Sequence, residues 1–136
     1  SFSGCVDLPM MMDKMGPEAA RTIFGPVFGE GLRIPPQANI VQLAEQVASL
    51  SPEVQPDILC TAGLQDQEPY HILEQNRKFR DIMKQIGPAK YTYLEWNGVH
   101  EWNFWDRSLV YAIDRFVNPG YAAKKLGDWA APAKEG

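Results

Sequence analysis

The chain has 136 residues, of which 45% are hydrophobic and 22% are charged, and its formal net charge is −4. That length suits one domain that buries roughly two thirds of its unfolded surface, and the high apolar content with a small net charge excludes intrinsic disorder. The acidic balance argues against nucleic acid as a partner, the lack of an apolar run of about 20 residues argues against a membrane span, and two cysteines are too few for a disulfide framework.

The first eight residues, SFSGCVDL, are typical of the end of a buried strand because they are largely apolar and have no polar lead-in. Two explanations stay open from composition: a trimmed or mature terminus, or upstream sequence that is missing. No basic stretch precedes an apolar one, so no signal peptide is visible. We expect a cytoplasmic location, with any targeting signal placed upstream of Ser1.

Residues 9–36 show little periodicity and are rich in Met, Gly and Pro, which predicts a mostly irregular segment. One short helix is expected near residues 17–23, because Pro17 suits a first helical turn. A segment of this length is either a binding loop or lid, or a surface segment that wraps the domain. Together with the helix that follows it, this excursion spans residues 9–56.

From residue 39 onward, helices and strands alternate. The predicted helices span residues 39–50, 70–86 and 104–117, and the predicted strands span residues 57–62 and 90–96. This order predicts an α/β fold, with parallel strands and helices packed on the sheet faces. Three strands, counting the opening segment, are few for such a sheet and indicate an incomplete one. Residues 121–136 are expected to form a loose tail. On the last helix, the residues expected to face inward include Trp105, Leu109 and Phe116.

A carboxylate and a histidine follow two of these strands. Asp66 lies in the loop GLQDQEP after the first, and His100 lies in the loop NGVHEW after the second. Because the carboxyl ends of parallel strands share one edge of a sheet, the two side chains can meet there, where an aspartate can orient an imidazole. Taken singly, the aspartate is more typical of a turn or cap and the histidine of a structural loop. The other histidine, His71, is expected in the first turn of a helix, exposed to solvent.

The order Asp then His matches the α/β-hydrolases, whose triads run Ser, then Asp or Glu, then His. The nucleophile of such a triad stands in a G-x-S-x-G turn between a strand and a helix. None of the five serines stands in that motif: Ser1, Ser3, Ser49, Ser51 and Ser108. The chain therefore offers the acid and the base of a triad without a recognisable nucleophile.

Several segments resemble the C-terminal half of the esterase D / tributyrin esterase group of α/β-hydrolases. They are CTAGLQDQ with the following NRKFRDIM, then GVHEWNFWD, and the opening SFSGCVD. In GVHEWNFWD, a histidine followed by paired tryptophans is characteristic of that group. The likeness extends from the first residues to about Phe116, and it is loose over residues 9–56.

The resemblance implies that residues 1–120 form the C-terminal portion of a single α/β-hydrolase domain. It makes His100 the general base and Asp66 its orienting acid. The nucleophilic serine and the oxyanion-hole amides would lie in an N-terminal half that is absent from this chain. The implied activity is that of a serine carboxylesterase acting on a short-chain, sugar or aromatic acyl ester, and this chain alone is expected to be inactive.

The remaining expectations concern ligands and partners. Trp102 either buttresses the His100 loop or lines an acyl pocket as a substrate-binding residue, although packing is the more common role of such aromatics. Neither a metal nor a cofactor is expected, because the His and Cys residues lack ligand spacing and no phosphate-binding glycine motif is present. The expected partners are a small-molecule ester and the missing N-terminal half, or a second copy of the chain in its absence.

Two other functions fit the same residues. A non-catalytic α/β module would bind a partner or a sugar through the same strand-end loops. An acyltransferase would pass the acyl group to a carbohydrate or lipid instead of water. A G-x-S-x-G turn within about 150 residues upstream would favour an enzyme over the binding module. Hydrolysis and transfer differ only in the acceptor, which these residues do not specify.

Overall fold

The computed structural model describes residues 1–130. The helices are α1 (Leu8–Met15), α2 (Pro17–Phe28), α3 (Ile40–Ala48), α4 (Ile72–Ile86), α5 (Trp102–Phe116) and α6 (Tyr121–Leu126), with short 3-10 turns at Pro36–Ala38 and Gly127–Ala130. The strands are β1 (Ile58–Gly63) and β2 (Tyr91–Trp96). The fold is mixed α/β, as the order of elements predicts. Within residues 1–130, no helix is long and apolar enough to cross a bilayer.

β1 and β2 form a parallel pair that keeps its register along both strands. Ile58 lies opposite Tyr91 at one end, and Gly63 lies opposite Trp96 at the other. α4 leads from the carboxyl end of β1 back to the start of β2, which is the usual connection between parallel neighbours. The loops that follow Gly63 and Trp96 therefore emerge at the same edge of the sheet.

The opening residues lie along the edge of β1 that faces away from β2. Phe2 is bridged in parallel to Thr61: the Ser3 amide donates to the Thr61 carbonyl (2.8 Å), and the Thr61 amide donates to the Ser1 carbonyl (2.9 Å). The expected strand end is thus present as a single parallel bridge. It brings a third segment of the chain into the pairing.

The side chains of the sheet divide between two faces, because successive residues of a strand point in opposite directions. One face packs on α3 and α4 through a cluster of buried residues: Val6, Ala44, Cys60, Ala62, Phe79, Met83 and Tyr93. The other face packs on α5, where Trp96 and Phe104 stack with ring centroids 4.6 Å apart. The result is three layers, with helices on both sides of the sheet.

The helices on the first face begin and end at residues suited to those positions. Asn39 caps α3, since its side-chain oxygen accepts from the amides of Val41 (3.2 Å) and Gln42 (3.3 Å). α4 ends at Gly87, whose φ of +69° is a left-handed conformation that glycine adopts without strain. Both helices predicted for this region are confirmed, with slightly shorter ends.

The prediction of a mostly irregular segment over residues 9–36 is wrong, because α1 and α2 occupy most of it. Asp7 caps α1 by accepting a hydrogen bond from the Met10 amide (3.0 Å), and Pro9 lies in the first turn. Methionine is a good helix former, so the Met-rich run continues this start. In α2, Pro26 stands inside the helix and obscures its pattern in the sequence.

The C-terminal segment is more regular than the loose tail predicted over residues 121–136. α6 begins after Gly120, and the amide of its buried Ala122 donates to the Asp114 carboxylate on α5 (2.9 Å). A 3-10 turn follows α6. Residues 131–136 of the predicted tail lie outside the described residues.

The buried residues of α5 that face the sheet precede two of the expected inward residues by one position along the helix: Phe104 precedes Trp105, and Ser108 precedes Leu109. Phe104 and Ser108 are buried, whereas Leu109 and Phe116 are each 49% exposed, so the predicted inward position of these two residues is wrong. The Ser108 hydroxyl donates to the Phe104 carbonyl (2.9 Å) and accepts from the hydroxyl of Thr61 (2.9 Å). Because each buried hydroxyl satisfies the other, a polar residue occupies the contact between helix and sheet.

An ion pair joins α4 to β2. Arg77 donates to both carboxylate oxygens of Glu95 (3.0 and 2.8 Å), and the Tyr93 hydroxyl donates to the same carboxylate (2.8 Å). These hydrogen bonds, chiefly those from Arg77, lower the pKa of Glu95 below its ordinary value. Only 11% of the Glu95 side chain is exposed, so solvent screens this carboxylate weakly.

Candidate active site

Hydrogen bonds join the two loops that follow β1 and β2. The Gln65 amide donates to the Gly98 carbonyl (3.1 Å), and the Gln65 side-chain oxygen accepts from the Gly98 amide (2.7 Å). The Gln65 side-chain nitrogen donates to the Asn97 side chain (3.1 Å), and the Leu64 amide donates to the Trp96 carbonyl (2.9 Å). The pairing of the strands therefore continues into the loops and holds them at a fixed separation.

The two loops approach each other more closely than side chains would allow. A Cβ atom on Gly63 would lie 2.2 Å from the carbonyl oxygen of Gly98, which is a backbone atom. A Cβ atom on Gly98 would lie 2.5 Å from the ring of Phe104. The spacing of the loops therefore requires glycine at position 63, and the packing of the Phe104 ring requires glycine at position 98.

Asp66 lies in the turn after β1. Its amide donates to the Gly63 carbonyl (3.1 Å), and its carbonyl accepts from the amide of Leu73 in the first turn of α4 (2.7 Å). Only 1% of its side chain is exposed. Oδ2 of this carboxylate lies 3.2 Å from Nδ1 of His100, so the structure brings the two predicted site residues into contact.

His100 lies in the loop between β2 and α5, with 35% of its side chain exposed. Because a carboxylate oxygen can only accept a hydrogen bond, Nδ1 of His100 carries the hydrogen in this pair. In the neutral ring, the lone pair of Nε2 is then free to take a proton. A buried acid beside a partly exposed imidazole can orient the ring and stabilise its charged form while a reactant approaches from solvent.

Aromatic rings surround this imidazole. The Trp105 ring lies 5.1 Å from the His100 ring at an interplanar angle of 89°, and the Tyr70 ring lies 5.8 Å away at 58°. Trp105 packs against the buried Trp96 and Phe104, in agreement with its predicted inward position. Sequence reasoning missed Tyr70, because its contact with His100 depends on the path of the loop before α4 and no local pattern specifies that path.

Trp102 contacts Trp105, which lies between it and the imidazole in this series of ring contacts. Its indole contacts the Trp105 indole at a centroid distance of 5.0 Å and an angle of 82°, and the residue is 76% exposed. This exposure leaves most of the Trp102 ring available to a ligand. Its role in binding substrate stays a prediction.

None of the serines forms a hydrogen bond with His100 among the contacts of residues 1–130. Ser108 is bound to Thr61 and to its own helix, and the Ser49 hydroxyl donates to the Gln46 carbonyl (2.6 Å). Ser3 is buried, and its hydroxyl has no hydrogen-bond partner in the described part of the chain. The described residues thus hold an acid–base pair without a nucleophile in contact with the base.

The second histidine lies outside this pair. His71 precedes α4 in a left-handed conformation (φ +53°), and its Nδ1 lies 2.9 Å from the Gln67 side-chain nitrogen and 3.5 Å from the Glu74 carboxylate. Only 21% of its side chain is exposed, which is less than the expected solvated position implies. Over the described range 1–130, no group of three or more His, Cys, Asp or Glu side chains could hold a metal ion.

A cleft of about 510 Å³ adjoins the His100 loop without including the pair itself. Gly98, Glu101 and Phe104 contribute to its wall, together with Lys125 from α6. The cleft therefore borders the loop that carries the imidazole. The His100 side chain, which is 35% exposed, and the buried Asp66 carboxylate do not line it.

Comparison of this chain with protein-family models, curated proteins and solved structures found no match. The assignment of a function therefore depends on the geometry of the Asp66–His100 pair and on the resemblance carried by the sequence motifs.

Proposed function

We propose that the protein is a serine carboxylesterase of the α/β-hydrolase type, in which His100 is the general base and Asp66 orients it. The observation that supports this most directly is the 3.2 Å contact between a carboxylate with 1% exposure and an imidazole with 35% exposure, at the ends of adjacent parallel strands. That is the arrangement by which an acid and a base activate a serine hydroxyl.

In the first half of the reaction, a serine Oγ attacks the carbonyl carbon of the ester. His100 Nε2 takes the hydroxyl proton as the new C–O bond forms, and Asp66 stabilises the resulting imidazolium through Nδ1–H. The tetrahedral intermediate then expels the alcohol, which receives the proton from Nε2. An acyl-serine ester and a neutral imidazole remain.

In the second half of the reaction, water replaces the alcohol. His100 Nε2 takes a proton from water as its oxygen attacks the acyl carbon, and the intermediate expels the serine, which regains that proton from the imidazolium. The products are a carboxylic acid and the regenerated hydroxyl group. In sum, one ester and one water molecule become one acid and one alcohol.

The nucleophile in this proposal comes from sequence other than these 136 residues. The support is an inventory of the serines: none stands in a G-x-S-x-G turn, and none bonds His100 among the contacts of residues 1–130. The buried hydroxyls of Ser108 and Thr61 satisfy each other inside the helix–sheet contact. The oxyanion-hole amides are assigned to the same additional sequence.

Hydrolysis of p-nitrophenyl esters of increasing acyl length tests this function. The 136-residue chain and the polypeptide encoded by the whole reading frame that contains it are assayed in parallel. Each carries His100→Ala, Asp66→Asn or, as a matched control, His71→Asn, since asparagine tolerates the left-handed conformation at that position. We expect activity only in the longer polypeptide, reduced by about 10²–10⁴-fold in the two site variants and unchanged in the control.

Three results would contradict the proposal. An inactive longer polypeptide on all esters would remove the esterase function. Normal turnover by the His100→Ala or Asp66→Asn variant would remove the residue concerned from the mechanism. Activity of the 136-residue chain that disappears in His100→Ala would keep the base and overturn the external nucleophile.

A further inference from the structure

The aromatic side chains that His100 contacts, Trp105 and Tyr70, and the Trp102 ring that contacts Trp105 differ sharply in exposure. Trp105 packs inward, whereas Tyr70 is 39% exposed and Trp102 is 76% exposed. For comparison, Trp96 on the same side of the sheet keeps only 7% exposure. Tryptophan usually buries most of its large apolar surface in a fold, so an indole left open beside an acid–base pair is unusual.

The contacts of Trp105 hold these rings in a fixed arrangement. The Trp105 ring is nearly perpendicular to both the His100 ring (89°) and the Trp102 ring (82°), at centroid distances of 5.1 and 5.0 Å. Edge-to-face contacts of this kind are favourable and directional. Trp105 therefore positions the exposed Trp102 indole two ring contacts from the His100 imidazole, and Tyr70 adds a second exposed ring in direct contact with that imidazole.

We propose that Tyr70 and Trp102 form a binding surface for a planar, uncharged ring in the ester substrate, so that the protein prefers aromatic esters to short aliphatic ones. Flat π faces stack on one another over a large area, which a methyl or propyl chain does not offer. The buried Asp66 and the exposed Glu101, which follows His100 directly, disfavour an anionic ring. The preference for aromatic esters rests on the proposed esterase function, but the binding of a planar ring to this surface does not.

Titration of the 136-residue chain with unreactive amides tests this surface without any need for a nucleophile. The probes are benzamide, cyclohexanecarboxamide, which has similar size but no planar ring, and methyl β-D-glucopyranoside, which offers a sugar face. Binding is followed by the NMR signals of the tryptophan indole N–H groups and of the His100 ring. We expect saturable binding of benzamide, with the largest shifts at Trp102 and His100.

Variants assign the binding to the named rings. Trp102→Ala should weaken benzamide binding about three- to tenfold, Tyr70→Leu should weaken it by a similar factor, and Trp102→Phe should restore most of it. Phe116→Ala is the matched control, because Phe116 is a half-exposed aromatic on the same helix, about 21 Å from Trp102 along the axis. Circular dichroism of each variant verifies the fold.

Equal affinity for benzamide and cyclohexanecarboxamide would overturn the requirement for a planar ring. Preferential binding of the glucoside would assign the surface to sugars instead. Absence of saturable benzamide binding, or loss of binding in Phe116→Ala alone, would overturn the site itself. None of these outcomes depends on whether the longer polypeptide hydrolyses esters, so failure of this inference and failure of the esterase proposal can be distinguished.

Discussion

Asp66 keeps a carboxylate in the protein interior, and within residues 1–130 the His100 imidazole is the hydrogen-bond partner found for its side chain, with Nδ1 3.2 Å from Oδ2. Removing a carboxylate from water costs on the order of several kcal/mol unless a partner compensates. The imidazole is that partner only when its Nδ1 points inward. The burial of the acid and the orientation of the base therefore depend on each other.

The contact between Asp66 and His100 also depends on a residue that carries no chemistry. Substitution of Gly63 by Ala should destabilise the fold by ~1–3 kcal/mol, because the added Cβ would meet the Gly98 carbonyl oxygen at 2.2 Å and neither backbone can move without breaking the loop pairing. Urea denaturation monitored by circular dichroism measures this loss.

Gly31→Ala is the control for that substitution. Gly31 lies in the turn after α2, and an added Cβ would meet only the Arg33 side chain, at an ordinary contact distance of 3.9 Å, so alanine should leave stability unchanged or raise it by up to about 1 kcal/mol. Equal unfolding midpoints for Gly63→Ala and the unmodified protein would show that the loops tolerate a wider separation than the structure has.

At the scale of the elements, the Arg77–Glu95 pair makes the attachment of α4 to β2 depend on pH. The pKa of Glu95 is lowered in the folded protein, so its carboxylate stabilises the fold above the unfolded pKa of about 4.3 and this contribution is lost as the pH falls through the folded value. Glu95→Gln should cost about 1 kcal/mol at neutral pH and should flatten the acid dependence of stability below about pH 4.3.

The measurement is the free energy of unfolding in urea at several pH values between about 3 and 7. Asp81→Asn is the matched control, since Asp81 lies on the same helix and pairs with its neighbour Arg80, but its side chain is 57% exposed. Solvent screens such a pair, and little change is expected. An unchanged acid slope in Glu95→Gln would show that other carboxylates dominate this pH range.

Local patterns predicted the elements whose apolar period is regular and whose ends carry caps, as in α3 and α4. They failed where the tertiary structure decides. α1 depends on a cap by Asp7, which looked like part of a strand, and α2 continues through Pro26. On α5, Ser108 faces the sheet because its hydroxyl bonds to the hydroxyl of Thr61 on β1. The apolar pattern of the helix cannot predict this contact, because the partner lies on another element.

At the scale of the whole molecule, neither outer edge of the sheet is paired with a further strand among residues 1–130: one edge is that of β2, and the other is formed by the opening residues beside β1. Ser1 and Ser3 supply the groups that pair with Thr61, so in a parallel ladder the amide and carbonyl of Phe2 point away from β1. The chain also exposes large apolar side chains, among them Ile23, Val27, Val54, Leu109 and Val117. An open edge together with exposed apolar surface favours association with another chain.

We expect the 136-residue chain to self-associate as its concentration rises, and Phe2→Pro to weaken that association. Proline removes the outward N–H and leaves the bonds of Ser1 and Ser3 to β1 in place. Light scattering after gel filtration measures the mass, and Phe2→Leu controls for the lost aromatic ring. A monomer at the highest concentration, or equal masses for both variants, would contradict this expectation.

The contact between Asp66 and His100 was predictable from the sequence because it follows from the parallel arrangement of the strands. Asp66 and His100 each follow a strand, and parallel strands bring their carboxyl ends together whatever the intervening sequence is. Tyr70 and Gln65 were not predictable in their roles, because their partners are chosen by the course of two loops. The glycine at position 98 is explained only by the ring of Phe104 next to it.

The contact between His100 and Asp66 depends on the register of the two parallel strands. Asp66 and His100 meet because β1 and β2 are aligned from Ile58 opposite Tyr91 onward. A slip of one residue would shift β2 by about 3.3 Å and turn its side chains to the opposite face. When a carboxylate holds the Nδ1–H proton of His100, this proton gives a separate NMR resonance. The resonance therefore indicates that β1 and β2 are in their native register. It would report during refolding the moment at which the sheet reaches its native pairing.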